Sequence, residues 1–139
     1  MPAGMKWHGR EVKIAIDKQL KRNLNMAAIL VQRAARDNVR SGGKSGLHVI
    51  TGTLHRSITT EVKGFIARIG TNLKYARIHE LGGIIRPKSA KALHFTVGGR
   101  HRQAQVVHIP ARPYLRPALH SNKRKIEKIL STPMRGETR

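Results

Sequence analysis

The longest regular pattern of hydrophobic and polar positions begins at Glu11. Apolar residues recur there at steps of three and four, at Val12, Ile16, Leu20, Leu24, Ala28, Val31, Ala35 and Val39. This spacing predicts one apolar face on an α-helix of about 30 residues, roughly 45 Å long. Gly42 and Gly43 indicate its end, followed by a flexible connector. So short a chain cannot enclose a helix of this length, so we expect it to lie along a sheet or against another subunit.

Short β-type segments follow the helix. Residues 59–62 and 65–69 predict a hairpin turning at Lys63 and Gly64. Residues 92–97 alternate apolar and polar side chains and give the clearest strand pattern in the chain. Residues 98–103 form a polar, glycine-started segment that predicts a loop tip, and residues 106–109 predict the returning partner strand.

Two short helices are predicted beside these strands. Thr53 is a candidate N-cap for a single helical turn that carries Leu54 and Ile58. Residues 73–81 predict a second short helix, ended by Gly82 and Gly83.

A proline-rich corner lies between the last strand and the C-terminal helix. Pro110, Pro113 and Pro117 fall within eight residues, and each fixes its own φ and keeps the preceding residue out of the α region. The pattern predicts a stiff extended turn, with Pro113 or Pro117 in the first turn of a helix that continues over 119–130. The rigidity indicates a packing role, and the corner is also a candidate partner contact.

These elements together predict an α+β fold. A long N-terminal helix and a C-terminal helix would pack on an antiparallel sheet of about four strands, with a short helix inserted. The 139 residues predict a single domain, 1–139, with residues 1–9 and 131–139 flexible.

The formal charge of +21 changes this picture most, since it opposes compaction and favours polyanionic neighbours. Nucleic acid, an acidic protein partner or neutralising subunits of an assembly would each fit. The cations are spread over every predicted element, which indicates a basic folded surface. The candidates for a DNA-facing or partner-facing basic loop are Arg86, Lys88, Lys91, Arg100 and Arg102.

Catalytic and metal chemistry find little support. The chain has no cysteine, its eight histidines show no metal-ligand spacing, and no P-loop, Gly-x-Ser-x-Gly or Gly-x-Gly-x-x-Gly motif occurs. Glu80 stands apart from the other carboxylates and is a candidate structural partner for an arginine such as Arg112. We predict no enzymatic activity, no cofactor and no metal.

Membrane insertion and base recognition are also disfavoured. No apolar run is long enough to span a membrane, the N-terminus lacks the apolar core of a secretory signal, and the long helix lacks aromatic membrane anchors. Two Tyr, two Phe and one Trp are few for base stacking, and no helix-turn-helix pattern is found. Non-specific contact with DNA phosphates stays open. A basic nucleic-acid-binding protein is therefore the alternative to an assembly subunit.

Three blocks, in order, resemble the tail-completion proteins of tailed bacteriophages, also called virion morphogenesis or minor tail proteins. The blocks are Thr-Gly-Thr-Leu-His-Arg-Ser-Ile at 51–58, Ile-Gly-Thr-Asn-Leu-Lys-Tyr-Ala-Arg-Ile-His-Glu-Leu-Gly-Gly at 69–83, and Ile-Pro-Ala-Arg-Pro-Tyr-Leu-Arg-Pro-Ala-Leu at 109–119. Tyr114 stands where the family more often has Phe. The ordered set behind a long N-terminal helix makes the resemblance specific.

The resemblance implies an α+β virion protein without catalysis. Its subunits would form a ring, expected to be a hexamer, at the head-proximal end of the tail or in the neck, where it contacts the tail tube and connector proteins. The resemblance places the protein in the virion after assembly in the host cytoplasm. In such a ring, the basic residues would face DNA in the lumen.

The resemblance also assigns motif positions, and we expect their role to be structural. The matching residues are Gly52, Leu54, Gly70, Tyr75, Ala76, Glu80, Gly82, Arg112, Pro113, Leu115 and Pro117. Gly70 and Gly82 would free the backbone at element ends. Tyr75 and Leu115 would fill the core. Glu80 and Arg112 would link the short helix to the proline corner, so alanine at either position should lower stability or block assembly.

Overall fold

In the computed structural model, the described residues are Gly4, 7–40 and 52–133. The helices are α1 (Gly9–Arg40), α2 (Thr53–Ser57), α3 (Ala76–Leu81), α4 (Leu115–Ser121) and α5 (Lys123–Leu130). The strands are β1 (Thr59–Lys63), β2 (Ile66–Gly70), β3 (Gly83–Ile85), β4 (Leu93–Val97), β5 (Arg100–Ala104) and β6 (Val107–Ile109). The predicted α+β class is confirmed. The predicted connector at 42–46 and most of the two predicted flexible ends lie outside the described residues.

The long helix α1 is confirmed, but only its C-terminal part is core. Its buried residues are Asn23, Ala27, Ala28, Val31, Ala35 and Val39. The small alanine side chains let neighbouring elements approach closely. The hydrophobic core joins this face to Ile58, Tyr114 and Ala118, with Ile69 and Ile126 packed at its edge.

Polar side chains of α1 hold the surrounding segments at their backbones. Gln32 Nε2 and Arg36 donate to the carbonyl oxygen of Ile58, at 2.8 and 2.7 Å. The buried Asn23 donates through Nδ2 to the carbonyl of Thr132 at 3.1 Å. These contacts fix the residue before β1 and the segment after α5 against α1.

The strands do not form the single four-stranded sheet that the sequence predicts. Within the described residues they form three two-stranded antiparallel ladders, β1–β2, β3–β6 and β4–β5. The β1–β2 hairpin turns at Gly64, as predicted, and packs on α1. The strands of the other two ladders all fall, along the sequence, between α3 and the proline corner.

The prediction for residues 98–109 is wrong in its pairing. Residues 100–104 are strand β5, paired with β4 from Leu93↔Ala104 to Val97↔Arg100, and the tight turn is only Gly98–Gly99. Residues 107–109 pair instead with β3, Gly83↔Ile109. The polar composition of residues 100–103 suggested a loop because that strand is exposed and buries no apolar face.

The helix ends also differ in detail from the predictions. Gly52, not Thr53, occupies the N-cap of α2, where its φ is 71°. The C-terminal helix begins at Leu115, with Pro117 in its first turn, and breaks at Asn122. Asn122 Nδ2 donates to the Ala118 carbonyl at 2.8 Å, and such a local side-chain bond competes with continuation of the helix.

Candidate interaction surfaces and the motif junction

The second and third motif blocks meet at the carboxylate of Glu80. Its oxygens accept hydrogen bonds from the backbone N–H groups of Tyr114 at 2.7 Å, Leu115 at 2.9 Å and Arg116 at 3.0 Å. These amides lie at the N-terminus of α4, where the N-cap residue Tyr114 makes no side-chain capping hydrogen bond. The carboxylate of α3 therefore caps α4 from a distant part of the sequence, and its charge also complements the helix dipole.

The predicted pairing of Glu80 with the Arg112 side chain is wrong. Among the described residues, no ion pair joins them, because backbone amides occupy the carboxylate. Arg112 contributes to the junction through its backbone N–H, which donates to the His79 carbonyl at 2.7 Å. The link between α3 and the corner is present, but it consists of main-chain contacts. The Arg112 side chain is left exposed.

Tyr114 connects the junction to the core. Its side chain is 1% exposed, and its carbonyl accepts from Asn38 Nδ2 of α1 at 3.0 Å. Burial, with the negative charge of Glu80, raises the pKa of Tyr114 to about 12. Burial, with the positive charge of Arg112, lowers the pKa of His79 below 6.5. Both shifts favour the neutral side chains, as expected where two elements close over them.

The remaining motif positions divide between buried and exposed. Ala76 is buried, Leu54 and Leu115 pack at the edge of the core, and Pro113 and Pro117 are half-buried. Tyr75 was expected to fill the core, but it is 44% exposed and packs edge-on against the His79 ring instead. The sequence analysis did not predict that Tyr114 is buried in the core. The available signal was its position in the stiff proline-rich corner.

Two motif glycines behave differently. Gly82 has φ 71°, and a Cβ there would lie 2.7 Å from the backbone nitrogen of Ala111, so α3 and the corner can approach only at a glycine. Gly70 has no such φ, and a Cβ there would meet nothing within 4 Å. The expectation that Gly70 frees the backbone is therefore wrong for this protomer.

This contrast gives a matched prediction. Gly82→Ala should destabilise the fold by about 1–3 kcal/mol, because alanine would have to adopt a conformation nearly restricted to glycine against the Ala111 backbone. Gly70→Ala should leave the melting temperature nearly unchanged. Thermal unfolding followed by circular dichroism measures both. Equal stability of the two variants would contradict the close approach at Gly82.

The motif junction borders an open cleft rather than an enclosed pocket. The cleft has a volume of about 410 Å³ and runs between α3 and the start of α4, past Thr71, Arg77 and Arg116. Among the described residues no group of three histidine or carboxylate side chains could hold a metal ion. No helix in the described part of the chain is long and apolar enough to cross a membrane.

Two surfaces remain without cover from the described residues. The exposed half of α1, residues 9–22, contains no buried residue and presents Val12, Ile16 and Leu20 at 51, 42 and 41% exposure. The five predicted basic-loop residues, Arg86, Lys88, Lys91, Arg100 and Arg102, are all exposed. Arg86, Lys88 and Lys91 lie in the irregular connection between β3 and β4, as predicted for a loop, whereas Arg100 and Arg102 lie on strand β5.

The fold and the junction thus define a small α+β protein whose second and third motif blocks meet at Glu80 and whose apolar and basic surfaces are exposed. The model of the phage virion morphogenesis family matches residues 2–134, so the chain belongs to that family, as its motif blocks predicted. No curated protein and no solved structure matches the chain. Family membership supports a role in virion assembly and suggests a structural rather than a catalytic part in it.

Proposed function

We propose that this protein completes the tail of a tailed bacteriophage by forming a ring of identical subunits, expected to be a hexamer, at the head–tail junction. In this role it contacts the tail tube on one side and neck or connector proteins on the other. It acts without catalysis, resides in the virion and assembles in the host cytoplasm. Membership of the phage virion morphogenesis family supports the general role.

The exposed half of α1 is the observation that best supports assembly into a ring. Residues 12, 16 and 20 continue the face that is buried from Asn23 onward, so the helix extends about 21 Å beyond its own core with its apolar stripe uncovered. Covering a large apolar side chain stabilises by roughly 1.5–3 kcal/mol. A second copy of the chain is the partner that a ring supplies to every subunit.

The net charge of +21 determines how this association depends on salt. Subunits of like charge repel one another, and salt screens that repulsion while leaving apolar contacts intact. Self-association through α1 should therefore increase as salt concentration rises. Phosphate binding would show the opposite dependence.

Ile16→Asp should abolish self-association without unfolding the protomer. The side chain is 42% exposed and lies on the stripe, so a carboxylate there places an unpaired charge in the interface but not in the core. Analytical ultracentrifugation at several salt concentrations should show a discrete oligomer for wild type and a monomer for the variant, with equal melting of the monomeric forms.

Ile14→Asp is the matched control, since it makes the same substitution in the same exposed half, but Ile14 is 59% exposed and lies two residues from Ile16, on the opposite side of the helix. It should assemble like wild type. If wild-type protein stays monomeric alone and also fails to attach to purified tails that lack it, the proposed function is wrong. Equal loss of assembly in both variants would instead contradict the role of the stripe.

A further inference from the structure

The segment between α3 and the proline corner forms a basic arm, defined as residues 83–109. The β3–β6 ladder forms its base, and the β4–β5 ladder forms its tip, closed by Gly98 and Gly99 at φ 56° and 76°. Within it, only Ala92 is buried. The arm therefore contributes little to the core and presents both faces of a two-stranded ribbon.

The charge of this arm has one sign. Residues 83–109 contain five Lys or Arg, three His and no Asp or Glu. The five cations, Arg86, Lys88, Lys91, Arg100 and Arg102, are exposed, and no ion pair within the described residues involves them. Three of these cations lie on the connection between β3 and β4 and two lie on β5, so a single acidic side chain could not neutralise them all. A partner with regularly repeated negative charge fits all five.

The register places two of these cations together. Arg100 lies opposite Val97, and Arg102 lies opposite Phe95, so both arginines stand on the same face at the tip. The other face presents His94, Thr96, His101 and Gln103, which are hydrogen-bonding side chains. The arginine face also carries the apolar side chains Phe95 and Val97, so Arg100 and Arg102 supply its charge. A narrow ribbon with charged and hydrogen-bonding side chains suits contact with the phosphates that border a groove.

We propose that the basic arm binds double-stranded DNA, through phosphate contacts without sequence selectivity. The major groove of B-DNA is wide enough to admit a two-stranded β-ribbon, whereas the major groove of duplex RNA is too narrow. Single strands are bound mainly by aromatic stacking, and Phe95 is the one aromatic residue among residues 83–109. This inference concerns each protomer and does not require the ring.

The test measures, by fluorescence anisotropy at several salt concentrations, how tightly the full chain binds a 30-base-pair DNA duplex of arbitrary sequence. The double variant R100Q/R102Q should bind more weakly. Its slope of log K against log salt should be shallower by about 2, since each lost phosphate contact removes about 0.9. Both side chains are exposed, so folding should be unaffected, as circular dichroism can verify.

The double variant K13Q/K18Q is the matched control. It removes the same charge from exposed positions of α1 and should keep the wild-type slope. An equal loss of slope in both variants would show that diffuse charge, not the arm, binds DNA, and would overturn the proposal. So would single-stranded DNA that binds as tightly as the duplex.

The monomeric Ile16→Asp variant separates this inference from the proposed function. It should lose self-association but still bind DNA, and adding R100Q/R102Q to this monomer should make its slope shallower by about 2. If the protein assembled normally but R100Q/R102Q had no effect on DNA binding, only the proposal that the basic arm binds DNA would be contradicted. If the arm bound DNA in a salt-dependent way but the protein did not assemble, only the proposed ring would be contradicted.

Discussion

Replacing Tyr114 by alanine should cost about 3–5 kcal/mol of unfolding free energy, the range typical for removing a buried aromatic side chain. Tyr114 is 1% exposed and packs in the core cluster with Val31, Ala35 and Ile58. Small domains have only about 5–15 kcal/mol in total, so the variant should be largely unfolded at moderate urea concentrations where wild type is folded. Equilibrium urea unfolding followed by circular dichroism gives the difference.

Tyr114→Phe is the control, because it keeps the ring and removes only the hydroxyl. It should cost less than about 1 kcal/mol, as volume-conserving core changes usually do. If Tyr114→Ala unfolds at the same urea concentration as Tyr114→Phe, the ring does not hold α4 against α1, and the core described above is wrong.

Glu80→Ala should lower stability by roughly 3 kcal/mol, and the melting temperature by about 10 °C. The change leaves the amides of Tyr114, Leu115 and Arg116 without their acceptor and removes the favourable charge at the start of α4. The estimate lies below the sum of three charged hydrogen bonds, since water can reach part of this junction. Differential scanning calorimetry measures the effect.

Three variants control this experiment. Glu80→Gln keeps one acceptor oxygen and should give an intermediate loss. Glu61→Ala removes an exposed carboxylate paired with Lys63 and should change stability by less than about 1 kcal/mol. Arg112→Ala should also have little effect, because its contact with His79 is through the backbone. If Glu80→Ala melted at the wild-type temperature, Glu80 would not cap α4. If Arg112→Ala lost as much stability as Glu80→Ala, the predicted ion pair between the two side chains would be supported instead.

The junction also anchors the basic arm. Gly82 precedes β3 and lies against Ala111, and the Arg112 amide bonds to His79, so both ends of the arm are tied where it leaves the body. The proline corner follows directly after β6. The motif residues therefore do not contact a partner in our proposal. They fix the direction of a surface that does.

Local pattern accounts for much of this fold. The three- and four-residue spacing from Val12 to Val39 predicted α1, because helical periodicity depends only on neighbouring residues. Gly64 and the proline corner predicted a hairpin and a helix start for the same reason. Strand partners were harder. The partner of residues 107–109 depends on chain topology, and the exposed strand β5 has no apolar alternation to reveal it.

The junction shows the same division at the level of single residues. Glu80 was identified from its position beside a glycine pair, but its partners were predicted to be an arginine side chain rather than three amides. Main-chain donors carry no sequence signature, since every residue except proline has one. Likewise, Gly70 and Gly82 cannot be distinguished without knowing what surrounds each Cβ position.

By itself, the sequence determined the class of fold, the long helix, the family and the strong positive charge, because each follows from local spacing, ordered motifs or composition. Only the tertiary structure decided which half of α1 stays uncovered, which strands pair, and that Arg100 and Arg102 share one face of an exposed two-stranded ribbon. Those features arise from contacts between residues far apart in the chain, and no local pattern encodes which distant segment a residue meets.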